Sequence, residues 1–329
     1  MEGVSNILSI AGSDSCGGAG IQADIKTAMG LGCHCCTALV VLTAQNTKEV
    51  KRIVEIEEAF IVDQLDSIFA DVTIDVVKLG VLYSKKIISL VSQYIVQMNK
   101  KRGKKLLVVF DPVFVSSSGC LLVENLEYIK FALDLICPIS CIITPNFYEC
   151  KVILQALDCQ MDLSKANMTE LCKLVTRMLD INACLLKSCN VGENSAEENE
   201  VYAVDHLCIR KVGSIPEGEV IQRDAGELGQ SAPGGVTYLY DVYKLRSKRK
   251  PGVDVHGTGC TLSTAIACYL AKKHNILQSC IESKKYIYNC IRYAYPFGSK
   301  SQGLNHLKAS QELPTFTDLE VIPIVQDSP

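Results

Sequence analysis

Six short runs along this chain are nearly continuous in apolar residues: Ser5–Ala11, Thr37–Ala44, Val76–Gly80, Lys105–Asp111, Cys141–Thr144 and Ala183–Lys187. Strands that lack an alternation of apolar and polar residues are buried on both faces, and such strands belong to parallel sheets covered by helices. The segments Ala19–Leu31, Ile56–Phe69, Lys85–Lys100, Leu126–Ile136, Tyr148–Leu157, Thr169–Asp180, Thr258–Lys273 and Leu277–Tyr293 mostly carry apolar positions at three- and four-residue spacing, which predicts helices. The alternation predicts an α/β protein with a mostly parallel central sheet and helices on both faces.

The rhythm breaks at Ser188–Gly252. This stretch opens polar and holds two β-like runs, Val201–Ile209 and Val236–Leu245, around a Gly-rich segment at 213–235. A hairpin-like edge with a long inserted loop is expected there, within a single domain spanning residues 1–329. The tail 314–329 shows no clear pattern and is expected to be poorly ordered.

With 48% apolar and 21% charged residues the chain has enough apolar side chains for a large core. A net charge of −3 gives no electrostatic reason to expect nucleic acid or an anionic membrane as partner. No apolar run has the length of a membrane-spanning helix. The 17 cysteines are odd in number and sit mostly inside apolar runs, as Cys137, Cys141, Cys184 and Cys268 do. Free cysteine packs as a small hydrophobe, no secretory pattern opens the chain, and a reducing cytoplasm is expected. The cluster Cys33-His34-Cys35-Cys36 leads straight into TALVVLTA and has no second pair at zinc spacing, so it is expected to open a buried strand.

Chemistry-bearing residues gather where the strand-like runs end, the place where open α/β sheets bind ligands. The most specific group is Val255-His256-Gly257-Thr258-Gly259-Cys260-Thr261, leading into the helical run LSTAIACYLAKK. Such a start leaves backbone N–H groups unpaired, and together with the helix dipole they favour an anion. An ordinary Gly-rich helix cap reads the same way. After the first strand comes Ala11-Gly12-Ser13-Asp14-Ser15-Cys16-Gly17-Gly18-Ala19-Gly20-Ile21-Gln22-Ala23-Asp24. It lacks the Lys-Ser/Thr of a Walker A loop and the spacing of a dinucleotide fingerprint. Alone it says only that a small polar ligand approaches the backbone. Asp111-Pro112-Val113 and Thr144-Pro145-Asn146-Phe147-Tyr148-Glu149 offer hard oxygen ligands of the kind Mg²⁺ prefers, although Asp111 and Asn146 would also serve as turn and helix caps. Lys187 ends its run at the sheet rim, where its ammonium meets a phosphate or solvent.

Taken together and in order, several motifs resemble the hydroxymethylpyrimidine/phosphomethylpyrimidine kinase family of thiamine biosynthesis, a branch of the ribokinase-like superfamily. They are AGSD and GGAGIQAD within residues 11–24, LTAQNT at 42–47, K-x-G at 78–80, DPV at 111–113, TPN with Glu149 at 144–149, Lys187, and HGTGCTLS at 256–263. The resemblance runs from about residue 7 to about residue 307. It implies a three-layer α/β/α sandwich that uses ATP and Mg²⁺ to phosphorylate 4-amino-5-hydroxymethyl-2-methylpyrimidine and then its monophosphate. It also implies roles. Asp24 and Gln45 would hydrogen-bond the aminopyrimidine, with Gly12, Val81 and the Val113 backbone around the ring. Gly257, Thr258, Gly259 and Cys260 would form the anion hole. Lys187, Asn146 and Lys284 would meet the nucleotide, and Asp111 and Glu149 would organise the metal.

Related sugar and pyridoxal kinases carry Asp where this chain has Cys260. A thiol at a helix N-terminus is expected to have a lowered pKa, so Cys260 is expected to take the substrate hydroxyl proton as a thiolate. The sequence departs from the resembled pattern at Ser188-Cys189-Asn190 for Gly-Gly-His, Val81 for Met, and Ser15-Cys16 for Pro-Ser. These departures leave two alternatives, a pyridoxal or pyridoxine kinase of the same fold, or a weakened kinase used as a pyrimidine sensor. A homodimer is expected by analogy with the fold alone.

Overall fold

The structure, a computed structural model, describes residues 3–115, 122–163, 166–187, 201–211, 239–250, 252–312 and 319–324. In chain order the first half runs β1 (Asn6–Asp14), α1 (Gly20–Gly30), β2 (His34–Gln45), β3 (Val50–Glu55), α2 (Glu58–Asp71), β4 (Val76–Leu79), α3 (Lys85–Arg102), β5 (Leu107–Phe110) and α4 (Leu126–Ile136). It continues with β6 (Ile142–Ile143), α5 (Phe147–Ala156), α6 (Met168–Met178), β7 (Ala183–Leu186), β8 (Tyr202–Lys211) and β9 (Leu239–Lys248). After these come α7 (Thr258–Ala271), α8 (Ile276–Arg292), β10 (Tyr295–Phe297), β11 (Ser301–Gly303), α9 (His306–Gln311) and β12 (Leu319–Ile324).

Among the described residues, ten strands form one sheet in the order β12-β9-β8-β7-β6-β5-β4-β1-β2-β3. The run from β7 through β6, β5, β4 and β1 to β2 is parallel, while β3 at one edge and β8, β9 and β12 at the other are antiparallel. The six buried runs are these six parallel strands. β8 and β9 form a hairpin, and the segment 213–235 between them lies outside the described residues. The tail departs from expectation, because Leu319–Ile324 pairs with β9. None of its residues is buried, as on an edge strand, and Pro323 interrupts the apolar stretch 321–324 that would otherwise have signalled it.

Each buried strand feeds two cores. Leu8, Ile10, Val77, Leu79, Val108 and Phe110 face one layer with α2 to α6, and Ile7, Val76, Val109 and Leu185 face the other with α1 and α7 to α9. This is the period of two expected of a pleated strand. Burying each such aliphatic side chain is worth about 1.5–3 kcal/mol, so the sheet is held from both sides. Cys35 and Cys36 follow the same rule, packing against opposite cores, so the Cys33–Cys36 cluster is splayed across the strand. No helix among the described residues is long and apolar enough to cross a membrane.

Candidate active site

β1 is flanked by β2 on one side and β4 on the other, so the chain order reverses beside it. Crevices beyond the carboxyl ends of strands open at such switch points. Asp14, Gly80, Asp111, Thr144 and Lys187 all stand at or just past those ends. A register shift in β1 at Ala11/Gly12 lets the strand run on to Asp14. Gly12 is needed there, since a Cβ on it would lie 2.7 Å from Val41 Cγ1 and 2.9 Å from Val81 Cγ1. Val81 and Val113 line one narrow cavity with Gly80, Phe110 and Phe114.

α7 aims its first turn into this crevice. Its N-cap Gly257 has φ 88°, a left-handed conformation that favours glycine, and Thr258, Gly259 and Cys260 follow as the first helical residues. The first amides of a helix have no partner within it. A Cβ on Gly259 would lie 3.3 Å from Lys187 Nζ and 3.5 Å from Asp111 Oδ2. Bare backbone at this point therefore leaves room for a ligand between helix start, ammonium and carboxylate.

Lys187 Nζ donates to Asp111 Oδ1 at 3.0 Å. Thr144 Oγ1 donates to the same oxygen at 3.1 Å and Ser263 Oγ to Asp111 Oδ2 at 3.2 Å. Burial works against the Asp111 carboxylate, but Lys187 and then Lys78 outweigh it and hold the group below its ordinary value. Burial likewise works to discharge Lys187, and Asp111 and Glu149 hold it charged. Asn146 and Glu149 form a capping box at α5: Glu149 N–H donates to Asn146 Oδ1 at 2.8 Å and Asn146 N–H to Glu149 Oε2 at 2.7 Å. Glu149 is nonetheless pushed up to about 8, chiefly by burial, with Lys187 pulling the other way. A desolvated carboxyl beside an ionised one gains from a hard cation, so Asp111 and Glu149 fit Mg²⁺ by their chemistry. The helix start and Lys187 fit phosphate.

Cys260 requires a correction. Burial is the largest influence on its thiol, exceeds the pull of the nearby Lys78 ammonium, and pushes it up to about 11. The helix N-terminus does not make it a thiolate at neutral pH.

The structure also moves two other residues away from their expected places. Asp24 is sealed from solvent on the buried side of α1, and its two oxygens accept from Lys78 Nζ at 3.0 and 2.9 Å, Ser9 Oγ at 2.5 Å and Thr264 Oγ1 at 2.6 Å. It is saturated by the protein and turned to Lys78. Lys284 is buried on α8, where Nζ donates to Asp205 Oδ2 on β8 at 2.6 Å, so its ammonium is not delivered to the Lys187–Asp111 group. Ser188-Cys189-Asn190 lie outside the described residues.

Gln45, at the end of β2, sets its Nε2 3.3 Å from His256 Nε2. His256 Nε2 lies 3.2 Å from Asp14 Oδ2, whose carboxylate also accepts from the backbone N–H groups of Cys16, Gly18 and Ala19. The two Gly-rich loops thus meet at Gln45. Asp14, His256 and Ser263 lie in motifs the sequence singles out but to which it gives no role, and Lys78 and Thr264 are candidates that reading for strand ends does not select. Lys78 had a signal, a lysine inside a fully buried strand that requires a carboxylate partner.

This fold is shared with solved kinases. Staphylococcus aureus pyridoxal kinase in complex with pyridoxal superposes at a TM-score of 0.72 with 19% identity, covering 98% of this chain and 100% of that one. Phosphomethylpyrimidine kinase from Clostridium difficile does so at 0.61 with 28% identity, covering 86% and 97%. The fold and site thus define a ribokinase-like α/β protein. Residues 14–222 and 234–305 match the phosphomethylpyrimidine kinase family, and the chain belongs to it. The thiamine biosynthesis bifunctional protein ThiED of Geobacter sulfurreducens is 29% identical over 311 residues, which are 94% of this chain and 53% of that protein. The chain thus spans about half the length of that relative.

Proposed function

We propose that this chain is an ATP-dependent kinase that phosphorylates 4-amino-5-hydroxymethyl-2-methylpyrimidine and its monophosphate. The observation that carries this reading is the Lys187–Asp111 pair standing within 3.5 Å of the position a Cβ on Gly259 would take, in the first turn of α7. Phosphoryl transfer asks a protein mainly for positioning and charge stabilisation, and an ammonium facing free helix amides supplies both. Asp111 and Glu149 would hold Mg²⁺ directly or through water, and Mg²⁺ there would neutralise phosphate charge. Gln45 offers a donor and an acceptor to an aminopyrimidine edge, with Gly12 leaving the ring room to approach the backbone. Cys260 is a thiol in the free protein, so it takes the hydroxyl proton only from the minor thiolate form, after its own proton has passed to solvent.

Exposed Leu42, Val50, Ile53 and Val54 on β2 and β3 support a homodimer through that edge. The described cysteines are free thiols, which supports a reducing compartment, the cytoplasm.

The S. aureus likeness supports a second reading, a pyridoxal kinase. Purified protein is incubated with ATP, Mg²⁺ and each alcohol in turn, and products are followed by mass spectrometry. Monophosphate and then diphosphate from the pyrimidine are expected. Faster turnover of pyridoxal selects the second reading, and binding of pyrimidine without product selects a sensor.

A further inference from the structure

One cluster outside the phosphate and Mg²⁺ residues brings three different ligand chemistries to a point. Asp14 Oδ2, Cys16 Sγ and His256 Nε2 all lie within 4.8 Å of one another. The carboxylate oxygen is 3.2 Å from the imidazole nitrogen and 3.4 Å from the sulfur. Zinc binds oxygen and nitrogen at ~2.0–2.2 Å and sulfur at ~2.3 Å, so the edges of a tetrahedral site run to ~3.3–3.7 Å. The two edges that meet at Asp14 Oδ2 already have this length, and the third, from Cys16 Sγ to His256 Nε2, is within 4.8 Å, a gap that side-chain rotation can close.

The geometry points to a site for a borderline-soft divalent cation, Zn²⁺, formed by Asp14, Cys16 and His256. The sequence places these ligands in two separate loops, one after β1 and one before α7, which the fold brings together. The surroundings fix their orientation as outer partners do in metal sites. Asp14 is held by the N–H groups of Gly18 and Ala19 on Oδ2 and of Cys16 on Oδ1, at 2.9–3.1 Å. His256 packs closely on Gly18, where a Cβ would come within 2.5 Å of its Cδ2. Its backbone N–H donates to Gln302 O at 3.3 Å, which ties the loop to β11. On binding, Zn²⁺ takes the place of the Cys16 thiol proton, and the neutral imidazole carries its proton on Nδ1 so that Nε2 is free to ligate. The fourth position faces the Gln45 amide or water. Zinc here staples the two Gly-rich loops together beside Gln45.

The plainer account is an Asp14–His256 hydrogen bond fastening the loops, with Cys16 incidental. Co²⁺ titration of reduced, metal-free protein under anaerobic conditions separates the two and needs no kinase assay. The expected result is one equivalent of Co²⁺ with intense tetrahedral visible bands and a thiolate-to-metal charge-transfer band, all displaced by one equivalent of Zn²⁺. Cys16→Ser should lose the charge-transfer band and at least ~10-fold in affinity, and His256→Gln should keep the band while losing affinity. No charge-transfer band in the wild type, or the same band at the same affinity in both Cys16→Ser and Cys16→Ala, overturns the site. Full affinity in His256→Gln overturns it as well.

Discussion

Lys78 Nζ lies 2.9 Å from Asp24 Oδ2, and neither side chain has any exposure to solvent. Burial works to discharge Lys78, yet Asp24 outweighs it, with Asp111 adding in the same direction, and holds the ammonium above its ordinary value. The pair joins β4 to α1, and Thr264 joins α7 to the same carboxylate. It forms the floor beneath the first turn of α7.

Removing one member strands a buried charge. Lys78→Met or Asp24→Asn should each cost about 3–5 kcal/mol in urea unfolding, and Lys78→Met with Asp24→Leu should recover much of it. An Asp24→Asn protein of wild-type stability whose KM for pyrimidine rises would instead put Asp24 in contact with substrate.

Glu149 links metal binding to protons. Its folded pKa of about 8 lies above the ordinary carboxylate value, so the metal-free fold holds a proton that the unfolded chain releases. Its stability therefore falls as pH rises from the carboxylate range through about 8, and Glu149→Gln removes that fall. Titration calorimetry of Mg²⁺ at pH 7 in two buffers of different ionisation enthalpy should show close to one proton released by the wild type and none by Glu149→Gln.

Gly257 is fixed by close approach as well as by conformation. A Cβ on it would fall 1.8 Å from Gly18 O, at a φ of 88°. Gly257→Ala must move the loop that aims the α7 amides. Its kcat should drop by about 10²–10³-fold, the loss seen when one anion-hole donor is misplaced. Circular dichroism should stay near wild type, since the change touches no core residue.

The high thiol pKa of Cys260 sets a pH signature. If it takes the hydroxyl proton, kcat/KM for the alcohol should rise about tenfold per pH unit between 7 and 9, while the second phosphorylation, whose nucleophile is already a phosphate, stays flat. Cys260→Ser should remove the slope and about 10²–10⁴-fold of the first step. Equal losses in both steps would place the thiol in the anion hole only.

What could be read from the sequence divides along physical lines. The six parallel strands were legible because burial on both faces leaves a continuous apolar run. Asp111 and Lys187 were legible because they stand where such runs stop, and Glu149 because it opens the helix that follows one. β3, β10 and β11 were not, since strands with little buried surface show no such run; all of β3 is exposed. β12 has an apolar stretch at 321–324, but the proline within it argued against a strand. Asp24 and Lys284 sit on helices whose positions were foreseen, but which neighbour waits opposite a helix face depends on packing. Asp24 meets Lys78 and Lys284 meets Asp205, each from a distant part of the chain. Cys260 failed for the same reason, because desolvation by residues remote in sequence outweighs the local helix dipole.

The two rims of the sheet are chemically unequal. β12 carries exposed Pro323, paired with Tyr243 on its inner side. Proline has no N–H to give, and within sheets it sits on edge strands with that position turned to solvent. A further strand approaching β12 meets a proline within its ladder, whereas β3 has no proline and keeps a regular register over residues 52–55, with its irregularity at Lys51 and apolar Ile53 and Val54 exposed beside it. Among the described strands, growth of this sheet by strand addition is therefore directional: the proline disfavours it at the rim built by β12, and an extended segment finds the better edge at β3.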